Sequence, residues 1–288
     1  MTIPTTDGVH RDIDETTYHG DRGSLSVTGA KLLLPPSCPA KFRAIMDAPP
    51  QPKPEYTFGS VVHKLVLGKG ADITVIDAPD YRTKAAREER DQAHAEGKLP
   101  LLADAYEEAR AMADAVLSDP VAGPLFTDGQ AEVSAYHTDP ETGVRLRGRA
   151  DWLPENQPAT IVDLKTSTTA NPSELVRKFH SLGYHMQAAW YLDLFTAATG
   201  YVFDQFLFVV VEKEPPHVVQ VVEWDEDALN EGRRLNRQAI DIYATCIETG
   251  HWPGYADGIT TISLPPWAVK ASADDAAAAL IAELEEML

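Results

Sequence analysis

The order of elements predicted between residues 131 and 223 constrains the fold most. Three β-rich segments come first, two helical segments follow, and two more β-rich segments end the run. Turn-forming residues such as Pro, Gly, Asn and Asp separate them. The segments are 131–137, 144–153, 160–164, 172–181, 184–198, 202–211 and 218–223. This order predicts an α/β fold in which helices cover both faces of a mixed central β-sheet.

Helical segments flank this middle part. Apolar residues at helical spacing predict a helix over 58–67, and a short strand follows at 73–76. Further helices are predicted over 26–34, 39–48, 82–96, 101–117 and 225–248. An acidic, Ala-rich helix is predicted over 273–288, at the end of the sequence.

These patterns divide the chain into three parts. Residues 1–24 are polar, lack the apolar run of a secretory signal, and predict a loose leader. The main domain is predicted over 25–255, with a helical part at 25–125 and a core at 126–250. Residues 256–288 are expected to form a C-terminal loop and the acidic helix.

Composition restricts the functional classes. The 288 residues hold 25 Lys and Arg against 44 Asp and Glu, a net charge of −19 that disfavours non-specific binding to nucleic acid. Residues 142–187 are different, because six basic and four acidic residues give +2 there. A DNA substrate is therefore not excluded. The most apolar run, 206–211, is far shorter than the ~20 residues that span a bilayer, so we expect a cytoplasmic protein without a membrane partner.

Two aspartates stand near the ends of neighbouring predicted strands. Asp151 closes the string GRAD, and Asp163 lies twelve residues later in IVDLK. A connection of this length can place the two strands side by side, and strand alternation puts Asp163 and Lys165 on one face, about 6.6 Å apart. Paired carboxylates bind a hard divalent cation, which activates water beside a phosphate. A surface ion pair is the alternative, and the local features leave both interpretations open.

Four short motifs occur in an order that is jointly specific. They are GSVVH (59–63), GRAD (148–151), DLKT (163–166) and YHMQAAWY (184–191). Together they resemble the signature of the PD-(D/E)XK nuclease superfamily in its RecB-like branch. The motifs are most similar to the RecE-like exonucleases (exodeoxyribonuclease VIII group), which phages and prophages often carry. The resemblance implies a restriction-endonuclease-like core.

The resemblance implies a role for each matching residue. His63, Asp151 and Asp163 would hold Mg²⁺ or Mn²⁺, with the carbonyl of Leu164 as a further contact, and Lys165 would be the catalytic lysine. The other candidates are Gln187 and Tyr191 beside the reacting strand, Tyr184 and Glu132 as secondary site residues, and Arg147, Arg149 and Lys178 as weak DNA-binding residues. Without the resemblance, a lone histidine beside apolar residues is more often structural.

The resemblance also implies an activity. It predicts a metal-dependent exonuclease that degrades linear double-stranded DNA from 5′ to 3′ and leaves 3′ single-stranded ends for recombination. A single-strand annealing protein and further copies of the chain are the implied partners, in a bacterial or phage-encoded protein. Only two cysteines are present, which excludes the iron–sulfur variant of the branch. A non-catalytic DNA- or protein-binding module with the same fold, and an endonuclease on structured DNA, remain open.

Overall fold

The computed structural model describes residues 2–48, 58–256 and 258–268, and four positions beyond them, 275, 278, 280 and 281. The chain divides into two compact units, Met1–Trp252 and Pro253–Leu288. All elements named below belong to the first unit. In the second unit Trp267 is exposed, and most of the helix predicted over 273–288 lies outside the described residues.

A seven-stranded mixed sheet forms the centre of the first unit. Its strands are β1 (Gly8–His10), β2 (Leu25–Ser26), β5 (Gly129–Thr138), β6 (Arg145–Pro154), β7 (Thr160–Ser167), β8 (Gln205–Glu212) and β9 (Val219–Val222). They lie in the order β1-β5-β6-β7-β8-β9, and β2 pairs with β6 beside this path. The pair β7–β8 is parallel, whereas β5–β6 and β6–β7 are antiparallel. Two further strands, β3 (Ile73–Ile76) and β4 (Leu99–Leu102), form a separate parallel pair.

Helices pack on both faces of this sheet. They are α1 (Glu15–Gly20), α2 (Val27–Leu33), α3 (Pro39–Asp47), α4 (Phe58–Leu67), α5 (Lys84–Ala95), α6 (Ala103–Ser118), α7 (Pro172–Ser181), α8 (Tyr184–Thr199) and α9 (Glu226–Thr249). One apolar core joins the sheet to α2, α7, α8 and α9, and a second joins it to α4 and α6. The predicted mixed sheet between helical layers is confirmed. No helix of the described residues is long and apolar enough to cross a membrane.

Strand β7 shows how the sequence directs side chains to these two layers. Val162 and Leu164 belong to the core beneath α4 and α6, whereas Ile161 belongs to the core beneath α8. Because successive side chains of a strand point to opposite faces, Asp163 and Lys165 share the face of Ile161. The two polar residues of β7 therefore face α8.

The register of β6 and β7 decides where their carboxylates lie. Trp152 pairs with Val162, so the antiparallel register puts Asp151 opposite Asp163, where the regular pairing between the two strands ends. The earlier part of β6 pairs with β2 instead. At this gap a side-chain contact replaces the backbone pairing: the Asp151 Oδ2 accepts a hydrogen bond from the Leu164 N–H at 3.0 Å. The opening of the sheet thus positions both aspartates.

Residues 1–24 differ from the loose leader that their polarity predicts. Residues Gly8–His10 form β1 and pair with β5, and Ile13 and Tyr18 of this segment are buried. Their core is small, comprising Ile13, Tyr18 and Tyr136. Polar contacts hold the rest of the segment, so its composition alone did not show that it folds onto the sheet. Strand β4 also differs from expectation, because it occupies the start of the helix predicted over 101–117.

Candidate active site

A cleft of about 630 Å³ opens beside the ends of β6 and β7. Nine of the residues predicted from sequence line it: His63, Glu132, Arg147, Arg149, Asp151, Asp163, Lys165, Gln187 and Tyr191. Leu164 lines a neighbouring cavity of about 320 Å³, to which His63, Glu132 and Lys165 also contribute. The motifs that are far apart in the sequence therefore meet at one place.

Asp163 is at the centre of a buried polar group. Its side chain is 2% exposed, and its Oδ2 lies 2.5 Å from the Lys165 Nζ. Its Oδ1 accepts a hydrogen bond from the Gln187 Nε2 at 2.5 Å. The Lys165 ammonium and the Gln187 amide therefore each contact one oxygen of the carboxylate. Gln187 thus acts on the carboxylate rather than on the lysine.

Burial and the nearby carboxylates determine the pKa values of Asp163 and Lys165. Burial, and to a smaller extent the Asp151 carboxylate, raise the pKa of Asp163 to about 6 against the lowering effect of Lys165. Burial opposes the charge of Lys165, but the Asp163 and Asp151 carboxylates outweigh it and raise its pKa. Lys165 therefore keeps its proton at neutral pH. Two carboxylates face one ammonium, which favours a further cation at this point.

His63 reaches the same carboxylates from the other helical layer. It lies on α4, and its Nδ1 is 3.7 Å from the Asp151 Oδ2. The apolar residues around it on α4 pack into the core beneath the sheet, which fixes the helix against β7. The sequence motif that carries His63 thus brings an imidazole to Asp151, as the resemblance implies.

The ligand atoms offered by His63, Asp151 and Asp163 are of the types that bind a divalent cation, but their spacing matches a metal site only in part. His63 and Asp151 offer a neutral nitrogen and carboxylate oxygens, which first-row divalent cations accept. Asp163 adds a buried carboxylate, and two carboxylates beside one ammonium leave the charge balance negative. However, no group of three His, Cys, Asp or Glu side chains among the described residues has the spacing of a metal site. In this arrangement Asp163 faces Lys165 and Gln187 instead.

The two tyrosines of α8 have different surroundings. The Lys165 Nζ lies 5.0 Å from the centre of the Tyr184 ring, so this ring contacts the lysine directly. Tyr191 is buried against Phe195 and Phe206, and burial raises its pKa well above the usual value. Tyr191 is therefore a wall of the cleft that packs into the core, whereas Tyr184 touches the predicted catalytic group.

Glu132 has an unusual backbone. Its φ is +53°, in the left-handed region that residues with a side chain rarely adopt, although it lies within β5. The paired residues on either side place it opposite Asp151. The Lys69 ammonium donates to the adjacent Ala131 carbonyl at 3.3 Å. The distortion carries the Glu132 side chain to the junction of the two cavities.

A comparison with protein families identifies the family of this chain. The profile of a family described as "PDDEXK-like domain of unknown function (DUF3799)" matches residues 26–265. The chain belongs to this family. No curated protein matches it in the corresponding search.

Solved structures add to the assignment of the fold. A crystal structure of a "Putative exonuclease" from Eubacterium rectale has a TM-score of 0.56 and 13% identity, covering 91% of this chain and 99% of that chain. At this identity the similarity concerns the fold alone. The crystal structure of SSO0001 has a TM-score of 0.29 and 16% identity, covering 64% of this chain and 85% of that chain, and carries no argument. The predicted PD-(D/E)XK superfamily is confirmed, while its RecB-like branch and the RecE-like group stay predictions.

In this PDDEXK-like chain, the arginines predicted to bind DNA hold the N-terminal segment. Arg149 donates to the Ile13 carbonyl at 2.8 Å and lies 4.1 Å from the centre of the Tyr18 ring. Arg147 donates to the Asp21 carbonyl at 2.5 Å and pairs with its carboxylate at 3.2 Å. Both side chains are thus engaged within the fold and also line the cleft, and their contact with DNA stays a prediction.

Lys178 lies apart from the cleft. Its ammonium donates to the Ser167 hydroxyl at 2.9 Å and to the Thr168 hydroxyl at 3.3 Å, at the end of β7. It is absent from the described lining of both cavities. Lys178 therefore supports the β7–α7 connection, and its predicted contact with DNA has no support from its position.

Sequence reasoning missed the contribution of the N-terminal segment to the cleft. Glu15, Tyr18 and His19 of α1 line the cavity, as do residues at the start of α2. Their only local signals are helix caps: the Asp14 carboxylate accepts from the Thr17 N–H at 2.8 Å, as an N-cap residue does. Such caps predict a short helix but not its partner, so no pattern in the sequence connected α1 to the site.

Proposed function

We propose that this protein is a divalent-metal-dependent nuclease that hydrolyses the phosphodiester bonds of DNA. The observation that supports this best is the convergence of Asp151, Asp163, Lys165 and Gln187 in one cleft, with His63 beside Asp151. These side chains come from four elements, β6, β7, α8 and α4. Their chemistry suits a negatively charged substrate that must be brought close to carboxylates by a cation.

His63, Asp151 and Asp163 would hold the cation, with the Leu164 carbonyl as a further donor. A bound Mg²⁺ or Mn²⁺ supplies Lewis acidity and lowers the pKa of a water molecule. Because the Lys165 Nζ lies 2.5 Å from the Asp163 Oδ2 beside the cleft, we assign its ammonium to stabilising negative charge on the phosphate. Gln187 keeps Asp163 oriented through Oδ1, and the Tyr184 ring keeps Lys165 over the cleft.

The finer proposal is an exonuclease that starts at the ends of linear double-stranded DNA. Its 5′ to 3′ direction, a 3′ single-stranded product, an annealing partner and a homo-oligomer rest on the RecE-like resemblance. The Eubacterium rectale protein of the same fold, described as a "Putative exonuclease", supports the choice of exonuclease. The net charge of −19 favours an enzyme with weak affinity for the interior of DNA.

The proposal is tested with linear duplex DNA labelled at either the 5′ or the 3′ end, beside covalently closed circular DNA, in Mg²⁺ or Mn²⁺. We expect degradation of the linear duplex and an intact circle. Cleavage of the circle would instead support the endonuclease. DNA binding without cleavage in either metal would overturn the nuclease and support a binding module.

Four variants connect the activity to the site. Asp163→Asn and Lys165→Met should abolish cleavage, because the first removes a buried carboxylate and the second removes the ammonium beside it. Asp114→Asn and Lys98→Met are the matched controls, since both residues are solvent-exposed partners of surface ion pairs. The controls should cleave as the original protein does. Full activity of Asp163→Asn or Lys165→Met would show that the cleft is not the active site.

A thermal shift tests the metal without any reaction. Mg²⁺ or Mn²⁺ should raise the melting temperature of the original protein, because a cation that binds only the folded state stabilises it. Asp151→Asn should lose this shift, whereas Asp114→Asn should keep it. Equal shifts in both variants would mean that the cation binds elsewhere.

A further inference from the structure

Lys31 joins α2 to the beginning of α8. Its ammonium donates to the Leu182 carbonyl at 2.9 Å and lies 5.3 Å from the centre of the Tyr184 ring. Leu182 and Tyr184 stand on either side of Gly183, the residue that precedes α8. One side chain from a distant helix therefore contacts both sides of the turn from which α8 starts.

Gly183 is shaped to this lysine. Its φ of +63° lies in the left-handed region, and a Cβ there would stand 3.0 Å from the Lys31 Cε and 3.3 Å from its Cδ. Glycine therefore serves two needs at this position, a strained backbone and space for the lysine stem. The turn and the lysine are complementary in both shape and hydrogen bonding.

The Tyr184 ring lies near both Lys31 and Lys165. Their ammonium nitrogens are 5.3 Å and 5.0 Å from its centre, and a positive charge near an aromatic face is attracted to it. Burial, and then the charge of Lys165, lower the pKa of Lys31 to about 8. Gln187, which binds Asp163, lies on the first turn of the same helix. The start of α8 thus carries two of the contacts made to Asp163 and Lys165.

We propose that Lys31 is a positioning residue of the active site: it holds the start of α8 so that Tyr184 and Gln187 orient Lys165 and Asp163. This inference rests on the proposed nuclease function. Lys31 is absent from the described lining of the cleft, although residues at the start of its helix belong to that lining. It therefore acts through Tyr184 and Gln187, and we expect it to affect the rate of reaction rather than substrate binding.

The test compares Lys31→Met with Lys64→Met. Methionine keeps an unbranched apolar stem and removes the ammonium. Lys64 is a matched control, because it also donates to a backbone carbonyl, that of Gly70, at 2.9 Å, and its stem lies beside a glycine with positive φ. Lys64 contacts Gly70 and Asp72 instead of Tyr184 and Lys165, and it is absent from the described lining of both cavities.

We expect Lys31→Met to lower kcat by about 10- to 100-fold with KM nearly unchanged, as displacement of catalytic groups does. Lys31→Arg should restore part of the rate, because a guanidinium can also donate to the carbonyl and lie against the ring. Lys64→Met should keep kcat. A change in KM alone would show that Lys31 binds the substrate, and an unchanged kcat would show that it is only structural; either result overturns the proposal.

Amide hydrogen exchange tests the same proposal without DNA. Exchange over residues 183–187 should become faster in Lys31→Met and stay unchanged in Lys64→Met, because only the first loses the link to α8. If the original protein cleaves no DNA, the nuclease function fails, and exchange alone then decides the link. Unchanged exchange over 183–187 in Lys31→Met would refute the link, whatever the activity.

Discussion

Glu132 offers a test of whether this cleft stores backbone strain for function. It has a φ of +53° in the middle of β5 and lies opposite Asp151. Replacing it with glycine removes the carboxylate and also relieves the backbone. Replacing it with alanine removes the carboxylate and leaves the backbone strained. The pair of variants therefore separates the two effects.

The expected size follows from the backbone alone. The left-handed conformation costs a residue with a side chain about 1–2 kcal/mol. Glycine loses about 0.5–1 kcal/mol more conformational entropy on folding than alanine. The free energy of unfolding of Glu132→Gly should therefore exceed that of Glu132→Ala by roughly 0.5–1 kcal/mol. At a regular strand position the order reverses, and the glycine variant is the weaker one by about 0.5–1 kcal/mol.

Gln130 supplies the regular position. It lies on the same strand, and it is not among the residues with positive φ. Urea unfolding followed by circular dichroism would give the free energy of unfolding for glycine and alanine at 130 and at 132. Cleavage of linear duplex DNA would be measured on the same four proteins. We expect both Glu132 variants to lose cleavage and both Gln130 variants to keep it.

Two results would refute this reasoning. If Glu132→Gly is less stable than Glu132→Ala, position 132 carries no strain that glycine relieves. If Glu132→Gly is more stable and still cleaves DNA at the original rate, the left-handed backbone at position 132 is only a feature of β5. The Glu132 carboxylate then has no part in the reaction. The stability result does not depend on the proposed function, so the two parts of the argument can fail separately.

Three further predictions concern the frame around the cleft. Burial would raise the pKa of Asp139, but hydrogen bonds from Arg237 and Thr142 outweigh it and lower that pKa. Its stabilisation is therefore fully present above about pH 4 and declines as the pH falls below that, so Asp139→Asn should cost about 1.5–3 kcal/mol at pH 7 and progressively less in acid, measured by urea unfolding. Gly148→Ala should lower the melting temperature, because the added Cβ would stand 3.0 Å from Tyr191 Cε1. Trp152→Phe should cost about 1–3 kcal/mol in urea unfolding, because it leaves a backbone carbonyl without the indole donor that now lies 2.8 Å away; an unchanged free energy would contradict this.

The elements with strong periodicity were predictable from sequence. The helices at 58–67 and 172–181 and the strand at 73–76 have the predicted bounds, because apolar spacing and the flanking Pro or Gly residues determine them locally. Strand β4 was not predictable in this way. Its four residues follow a turn at Gly97 and run directly into α6, and within the described ranges β4 pairs only with β3, twenty-six residues earlier at the paired positions.

The candidate active site was also predictable only in part. The alternation of β7 was enough to put Asp163 and Lys165 on one face, and the motif order suggested which residues meet. The contacts themselves were not predictable: that Gln187 binds Asp163, and that Tyr184 contacts both Lys165 and Lys31. These contacts depend on how α8 lies across the sheet, which is a matter of packing between distant segments.

The sequence by itself determined the fold class, the separation of apolar and polar faces, and the identity of the acidic and basic groups at the strand ends. Local physical rules, such as helical and strand periodicity, are sufficient for these. Only the tertiary structure decided that the acidic N-terminal segment occupies Arg147 and Arg149 and forms a wall of the cleft. An arginine has the same sequence signal whether it binds DNA or a distant carbonyl, because long-range partners are chosen by packing of the whole chain.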